Sequence, residues 1–101
     1  MLLDDDTHVI ALVRAKPGLD GAVAREVAGL IAPSRAEPEN LAYAAFQVVN
    51  DPSHIVFVER WTDMAAFERH LTRDHMVTFL AQADHLFTGL PEILFLNEIC
   101  R

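Results

Sequence analysis

The stretch His54-Ile55-Val56-Phe57-Val58-Glu59-Arg60-Trp61 carries apolar side chains at both parities, Ile55 and Phe57 on one face, Val56 and Val58 on the other. A strand with one wet face alternates apolar and polar residues, because successive side chains point to opposite sides of the sheet. This strand does not alternate, so both of its faces are expected to be dry. Two other segments behave alike. In His8 to Ala15, Val9, Ala11 and Val13 oppose Ile10 and Leu12, and in Pro91 to Cys100, Ile93 and Phe95 oppose Leu94 and Leu96.

The segments between these strands supply the connections. Pro17-Gly18 ends the first strand with a turn pair. Leu19, Val23, Val27, Leu30 and Ile31 then recur at helical spacing, with Asp20 in the first turn and Ala32-Pro33 as the expected stop. The polar run Ser34 to Asn40 leads into a second strand, Leu41 to Val49. Asn50-Asp51-Pro52-Ser53 is a dense turn signal, which makes strands two and three an antiparallel hairpin. Thr62 or Asp63 is placed to cap the next helix, and Asp74 offers a second cap. Met64, Phe67, Leu71, Met76, Phe79, Leu80, Ala83 and Phe87 share one period, so 63–87 reads as one bent helix or two short ones. Gly89-Leu90-Pro91 stops it. The order β-α-β-β-α-β is an α+β, ferredoxin-like arrangement. It is expected as a single domain over 1–101, with 1–7 a flexible tail.

Two helices cover only one face of a four-stranded sheet. Leaving the other face wet forgoes ~25 cal/mol for each Å² of apolar surface. A second identical subunit, packed sheet against sheet, is the simplest cover, and a homodimer is therefore expected. The terminal stretches are too short to do the same.

Composition narrows the function. Of 101 residues, 51% are hydrophobic, which argues against a disordered chain, and the net charge of −7 argues against nucleic acid or an anionic membrane as partner. One cysteine, Cys100, excludes an internal disulfide framework and a Cys-rich zinc module. No run approaches the ~20 apolar residues of a membrane span. The start Met1-Leu2-Leu3-Asp4-Asp5-Asp6 is acidic where a signal peptide is basic, so the cytoplasm is the expected location.

Histidine titrates near neutrality and is the first place to look for chemistry. His8, His54 and His85 read as surface or cap residues. His70 follows Phe67 by three and borders the apolar stripe. It reads equally as a half-buried residue bonded to backbone or as a group pointing into a pocket. His75, beside Asp74, reads as a helix-start residue or a site residue. On an unbroken helix the two histidines diverge by roughly 140°, so they are not expected to form a metal pair, and no metal site is expected. Glu59 lies among Phe57, Val58 and Trp61, with Tyr43 on the same face if the hairpin pairs in simple register. A carboxylate there must be paired, bonded or protonated. It reads as half of a structural ion pair or as a general base or orienting partner for His70. Trp61 and Tyr43 read as core, or as walls for a flat aromatic substrate. Glycine-rich phosphate loops, Gly-x-Ser-x-Gly and dinucleotide fingerprints do not occur, and no cofactor is expected.

Arg35-Ala36-Glu37-Pro38 leading to Leu41-Ala42-Tyr43 resembles the R-x-E-P-G-x-x-x-Y segment of the antibiotic biosynthesis monooxygenase family. Asp51-Pro52, Glu59-Arg60-Trp61, Ala66-Phe67-Glu68-Arg69-His70-Leu71 and Asp74-His75-Met76 resemble further signatures of the same family at the expected spacing, from Val9 to Glu98. The resemblance implies a dimeric α+β barrel of ferredoxin-like subunits with a small cavity between sheet and helices. It also implies cofactor-independent oxidation of a small aromatic, phenolic or quinol-type substrate by molecular oxygen, although some relatives degrade haem or isomerise small metabolites. On that basis His70 and Glu59 are the expected catalytic pair, and Tyr43, Phe57, Trp61, Phe67 and His75 the expected substrate contacts. There are departures. Phe57 and Phe67 stand where polyketide-modifying oxygenases place an asparagine and a tyrosine, and Glu39-Asn40 replaces the family glycine. The residues of the haem-degrading branch are missing from strand one, from position 70 and from near Leu80. An isomerase or lyase acting on a small metabolite, and a non-catalytic binding module, remain the other classes.

Overall fold

β-Branched and aromatic residues from 51 to 61 form the longest strand of the molecule, and it is hydrogen-bonded on both sides. The computed structural model describes residues 6–100. The elements run β1 (Thr7–Arg14), α1 (Asp20–Arg35), β2 (Asn40–Val48), β3 (Asp51–Trp61), α2 (Met64–Leu71), α3 (Asp74–Leu80), α4 (Ala83–Leu86) and β4 (Glu92–Leu96). The strands form one antiparallel sheet in the order β2-β3-β1-β4. This is the α+β, ferredoxin-like architecture expected from the strand pattern.

One sheet face is closed by this chain alone. Val9, Val13, Tyr43, Ile55, Phe57, Glu59 and Trp61 are buried beneath Val23, Val27 and Leu30 of α1, Phe67 of α2, and Met76 and Phe79 of α3. The opposite face is as apolar as predicted. Register aligns Ala44, Val58, Ile10 and Leu94 in one cross-strand row, and Phe46, Val56 and Leu12 in the next. Phe46 is 57% exposed, Val58 40% and Leu94 45%. Among the described residues no helix covers these rows.

Several boundaries differ from those read off the sequence. Pro33 does not end α1, which continues to Arg35. Proline removes only its own donor, and the bonds beyond it form: Ala36 N–H to Ala32 O at 3.0 Å and Glu37 N–H to Ser34 O at 3.2 Å. Ser34 and Glu37 are therefore held against the core instead of lying in a polar loop. The hairpin turn narrows to Val49-Asn50, because Asp51, Pro52 and Ser53 belong to β3, with Pro52 in the stretch where the β2–β3 register shifts. The region 63–87 is three short helices. Asp63 caps α2 by accepting the Ala66 N–H at 2.8 Å, whereas Asp74 is no cap, since Arg73 holds that position in α3 without a side-chain bond. β4 is confined to Glu92–Leu96. Of the expected N-terminal tail, 1–5 lie outside the described residues. Thr7 opens β1 and Asp6 accepts from the Arg60 guanidinium, so those two belong to the folded body. No helix among the described residues is long and apolar enough to cross a membrane.

Candidate functional site

β3 sets the floor of the site. Its register pairs Glu59 with Tyr43 of β2 and Val9 of β1, and puts Phe57, Glu59 and Trp61 on the buried face. Tyr43 therefore shares a face with Glu59 and Trp61 as expected, although the β2–β3 pairing carries register shifts at both ends. α2 crosses above. Its capped start and its period of three to four bring Phe67 and His70 down onto that face, with His70 only 1% exposed.

His70 is enclosed by rings. Its centroid lies 4.5 Å from that of Trp61, 5.4 Å from Tyr43 and 6.2 Å from Phe67. Its two nitrogens have different surroundings. Nδ1 lies 2.6 Å from Glu37 Oε2, a short charge-assisted hydrogen bond in which the imidazole N–H donates. Nε2 is buried without a partner, and its nearest charged neighbour is Glu59 Oε1 at 4.0 Å, beyond hydrogen-bond reach. With the proton held on Nδ1 by Glu37, Nε2 is the basic nitrogen, and among the described residues it has no hydrogen-bond donor.

The His70 side chain forms part of the wall of a cavity of about 150 Å³. Tyr43, Phe57, Glu59, Phe67 and His70 line it, together with apolar side chains from α3 and β4, among them Met76, Phe79 and Ile93. Five of the seven residues singled out in the sequence therefore meet at one void. Trp61 and His75 do not line it. Trp61 stacks behind His70 and donates its Nε1–H to Glu59 Oε1 at 2.9 Å. His75 sits behind Glu37, its Nε2 3.0 Å from the same Oε2 that His70 uses and 3.3 Å from Ser34 Oγ.

The expected divergence of His70 and His75 is overturned by the break between α2 and α3. The chain turns at 72–73, and the two rings come within 5.8 Å. Glu37 joins them. In the sequence this residue lies in the polar run before β2, and its one signal there is its place in the Arg-x-Glu-Pro segment. It is 8% exposed, and Arg73 Nε approaches its other oxygen, Oε1, at 3.4 Å as an ion pair. One Glu37 carboxylate oxygen and two imidazole nitrogens, all within 4.8 Å of one another, are a donor set that a first-row divalent metal accepts. Here those atoms satisfy each other, with Oε2 accepting from both rings.

Burial tunes the titrating groups. It pushes Glu59 up to about 7 against the opposing Trp61 hydrogen bond, with the Glu37 charge adding to the rise. It also holds His70 below the ordinary imidazole value, although the Glu37 bond pulls the other way. The Tyr43 phenol is raised, by burial first and the Glu59 charge second, and its hydroxyl has the Ser34 side chain as hydrogen-bonding neighbour. Burial thus favours a neutral imidazole at His70, 4.0 Å from a Glu59 carboxyl whose proton is held toward neutral pH.

A family model described as antibiotic biosynthesis monooxygenase matches residues 7–82. A Bacillus subtilis protein, "Putative monooxygenase YcnE", is 31% identical over 84 residues, covering 83% of this chain and 88% of its own. The crystal structure of PA3566 from Pseudomonas aeruginosa superposes with a TM-score of 0.91 at 32% identity, covering 99% of this chain and 100% of that one. A crystal structure titled antibiotic biosynthesis monooxygenase gives 0.87 at 28% identity over 93% of this chain and 99% of the other.

Proposed function

The chain belongs to the antibiotic biosynthesis monooxygenase family, and from that premise we propose that it is a cofactor-independent monooxygenase acting on a small phenolic or quinol-type aromatic. The observation that carries this reading is a buried His70 in the wall of an apolar cavity, its Nδ1 fixed by Glu37 and its Nε2 without a hydrogen-bond partner. A general base needs that orientation, and a carboxylate on the far nitrogen both sets the tautomer and stabilises the imidazolium that forms.

In the proposed reaction His70 Nε2 takes the hydroxyl proton of the substrate. The electron-rich anion passes one electron to molecular oxygen, and the two radicals couple at a ring carbon that still bears hydrogen. Loss of water from the resulting peroxide leaves a carbonyl, so one phenol and one oxygen molecule become one quinone and one water. His70 returns its proton to the departing oxygen, and Glu59 stands near enough to hydrogen-bond the oxygen being lost. Glu37 is a positioning residue and touches no substrate. His75 and Arg73 hold Glu37 in place, so His75 acts at one remove from the substrate.

A second copy of the chain completes the molecule in this reading, since the bare outer sheet rows are the face that a homodimer would close. The same acid–base pair would also serve an isomerase, and oxygen uptake separates the two. Purified protein in flavin-free, chelator-treated buffer is expected to consume one oxygen per phenol or hydroquinol oxidised. His70→Gln, with its fold checked by circular dichroism, is expected to lower that rate about a hundredfold or more. Unchanged uptake in His70→Gln would remove His70 from the chemistry.

A further inference from the structure

We infer that Glu37, His70 and His75 form a binding site for one late first-row divalent metal ion, zinc foremost, held by Glu37 Oε2, His70 Nδ1 and His75 Nε2. This site lies outside the reading above and does not depend on it.

Among the described residues these three side chains are the one group of His, Cys, Asp and Glu whose donor atoms all lie within 4.8 Å of one another. They come from the segment after α1, from α2 and from α3, and the turn at 72–73 brings them together. Two imidazole nitrogens and one carboxylate oxygen are the ligand set of zinc sites that keep a fourth position open. Magnesium and calcium, which prefer oxygen ligands, are poorly served by it.

Arg73 Nε lies 3.4 Å from Glu37 Oε1 and engages that oxygen, so Glu37 offers Oε2 alone. Oε2 stands 2.6 Å from His70 Nδ1 and 3.0 Å from His75 Nε2. A four-coordinate ion about 2.0 Å from each ligand holds neighbouring ligands roughly 3.3 Å apart. The clasp therefore opens by less than about 1 Å to take an ion in place of the two N–H protons. Neither imidazole changes charge, since each proton moves to the far nitrogen of its ring.

That far nitrogen in His70 is an independent observation. Nε2 is buried without a partner, and Glu59 Oε1 lies 4.0 Å from it. As an acceptor it finds no donor. As a donor it has a carboxylate close by, and a shift of about 1 Å completes the bond. Metal-bound histidines commonly donate their second N–H to a carboxylate in this way. The Trp61 N–H, 2.9 Å from the same oxygen, already fixes Glu59. His75 gives the ion its way in. Its side chain is 20% exposed, and it lines an open cavity of about 350 Å³ between α1 and α3 with Glu26 and Asp74, whose charges favour a cation. In the ion-bound chain Nε2 carries the ring proton, so zinc and the proposed role of His70 as a base exclude one another.

The test is calorimetric titration of zinc chloride into the full chain after chelator treatment and desalting. One ion per chain is expected, with cobalt(II) giving the strong visible absorption of a low-coordinate site and magnesium giving no heat. His75→Ala and Glu37→Gln, each with its fold checked by circular dichroism, are expected to weaken zinc by about a hundredfold. His85→Ala, at an exposed histidine outside the group, is expected to bind zinc as wild type does. No stoichiometric zinc binding, or unchanged affinity in folded His75→Ala, would overturn the inference. Oxygen uptake is read separately. Zinc bound here without slowing phenol oxidation would remove His70 from the chemistry and leave the metal site standing, whereas phenol oxidation by a chain that binds no zinc would sink the metal site alone.

Discussion

Glu59 is a carboxyl on the dry side of a sheet, and its pH behaviour follows from that position. Its folded value near 7 lies above the ordinary 4.5, so across that window the native state binds a proton that the unfolded chain has released. By linkage, folding stability then falls as pH rises from about 4.5 to 7 and levels off above, a contribution on the order of 3 kcal/mol. Glu59→Gln keeps an acceptor for Trp61 and cannot ionise. Urea titrations are expected to show the variant gaining on wild type across that window; a constant difference between pH 4.5 and 7.5 would mean that the carboxyl is not raised. His70 contributes with opposite sign. Its depressed value makes the native state resist a proton that the unfolded chain accepts below about 6.5, which is why the comparison with wild type, and not the raw pH profile, isolates Glu59. At this scale the sequence was informative about residues on β3 and α2 and silent about Glu37 and Ser34. Glu, Ser and Pro between two apolar segments look like a solvated connection, and only the continuation of α1 past Pro33 turns two of them inward.

Among the elements, α2 carries the residue on which the chemistry turns. Eight residues hold Phe67 and His70, and the helix starts on one side-chain cap, Asp63 to Ala66 N–H. Asp63→Ala is expected to destabilise the fold by about 1 kcal/mol, read as a lower urea midpoint at unchanged slope. Asp63→Asn should lose far less, and equal loss in both would show that the cap is not the cause. The strands and their succession along the chain were legible because apolar runs encode them locally, whereas the hairpin turn and its register shifts were not. The break between α2 and α3 was legible only as one of two alternatives, a bent helix or two short ones. Met76, Phe79 and Leu80 prolong the periodic stripe of α2, and a hydrophobic period alone does not reveal a turn at 72–73. That one turn converts two diverging histidines into neighbours on a single carboxylate.

For the whole molecule, the uncovered face decides behaviour in solution. The row Ala44–Val58–Ile10–Leu94 crosses all four strands, and a twin subunit is its expected cover. Sedimentation equilibrium at micromolar concentration should return a dimer mass, and Val58→Asp, in the middle of that row, should return a monomer with intact far-ultraviolet dichroism. A wild-type monomer that stays in solution under those conditions would contradict the pairing. The apolar character of both sheet faces could be read from sequence alone, because parity within a strand requires no knowledge of its neighbours. The cavity could not, since it is what three separate short helices leave unfilled.

α3 has two duties at once. Its seven residues supply Met76, Phe79 and Leu80 to the cavity wall and His75 to the Glu37 clasp, and a turn at 72–73 separates it from α2. A guest that enters by pushing this helix aside must also pull His75 from Glu37, loosening the hold on His70.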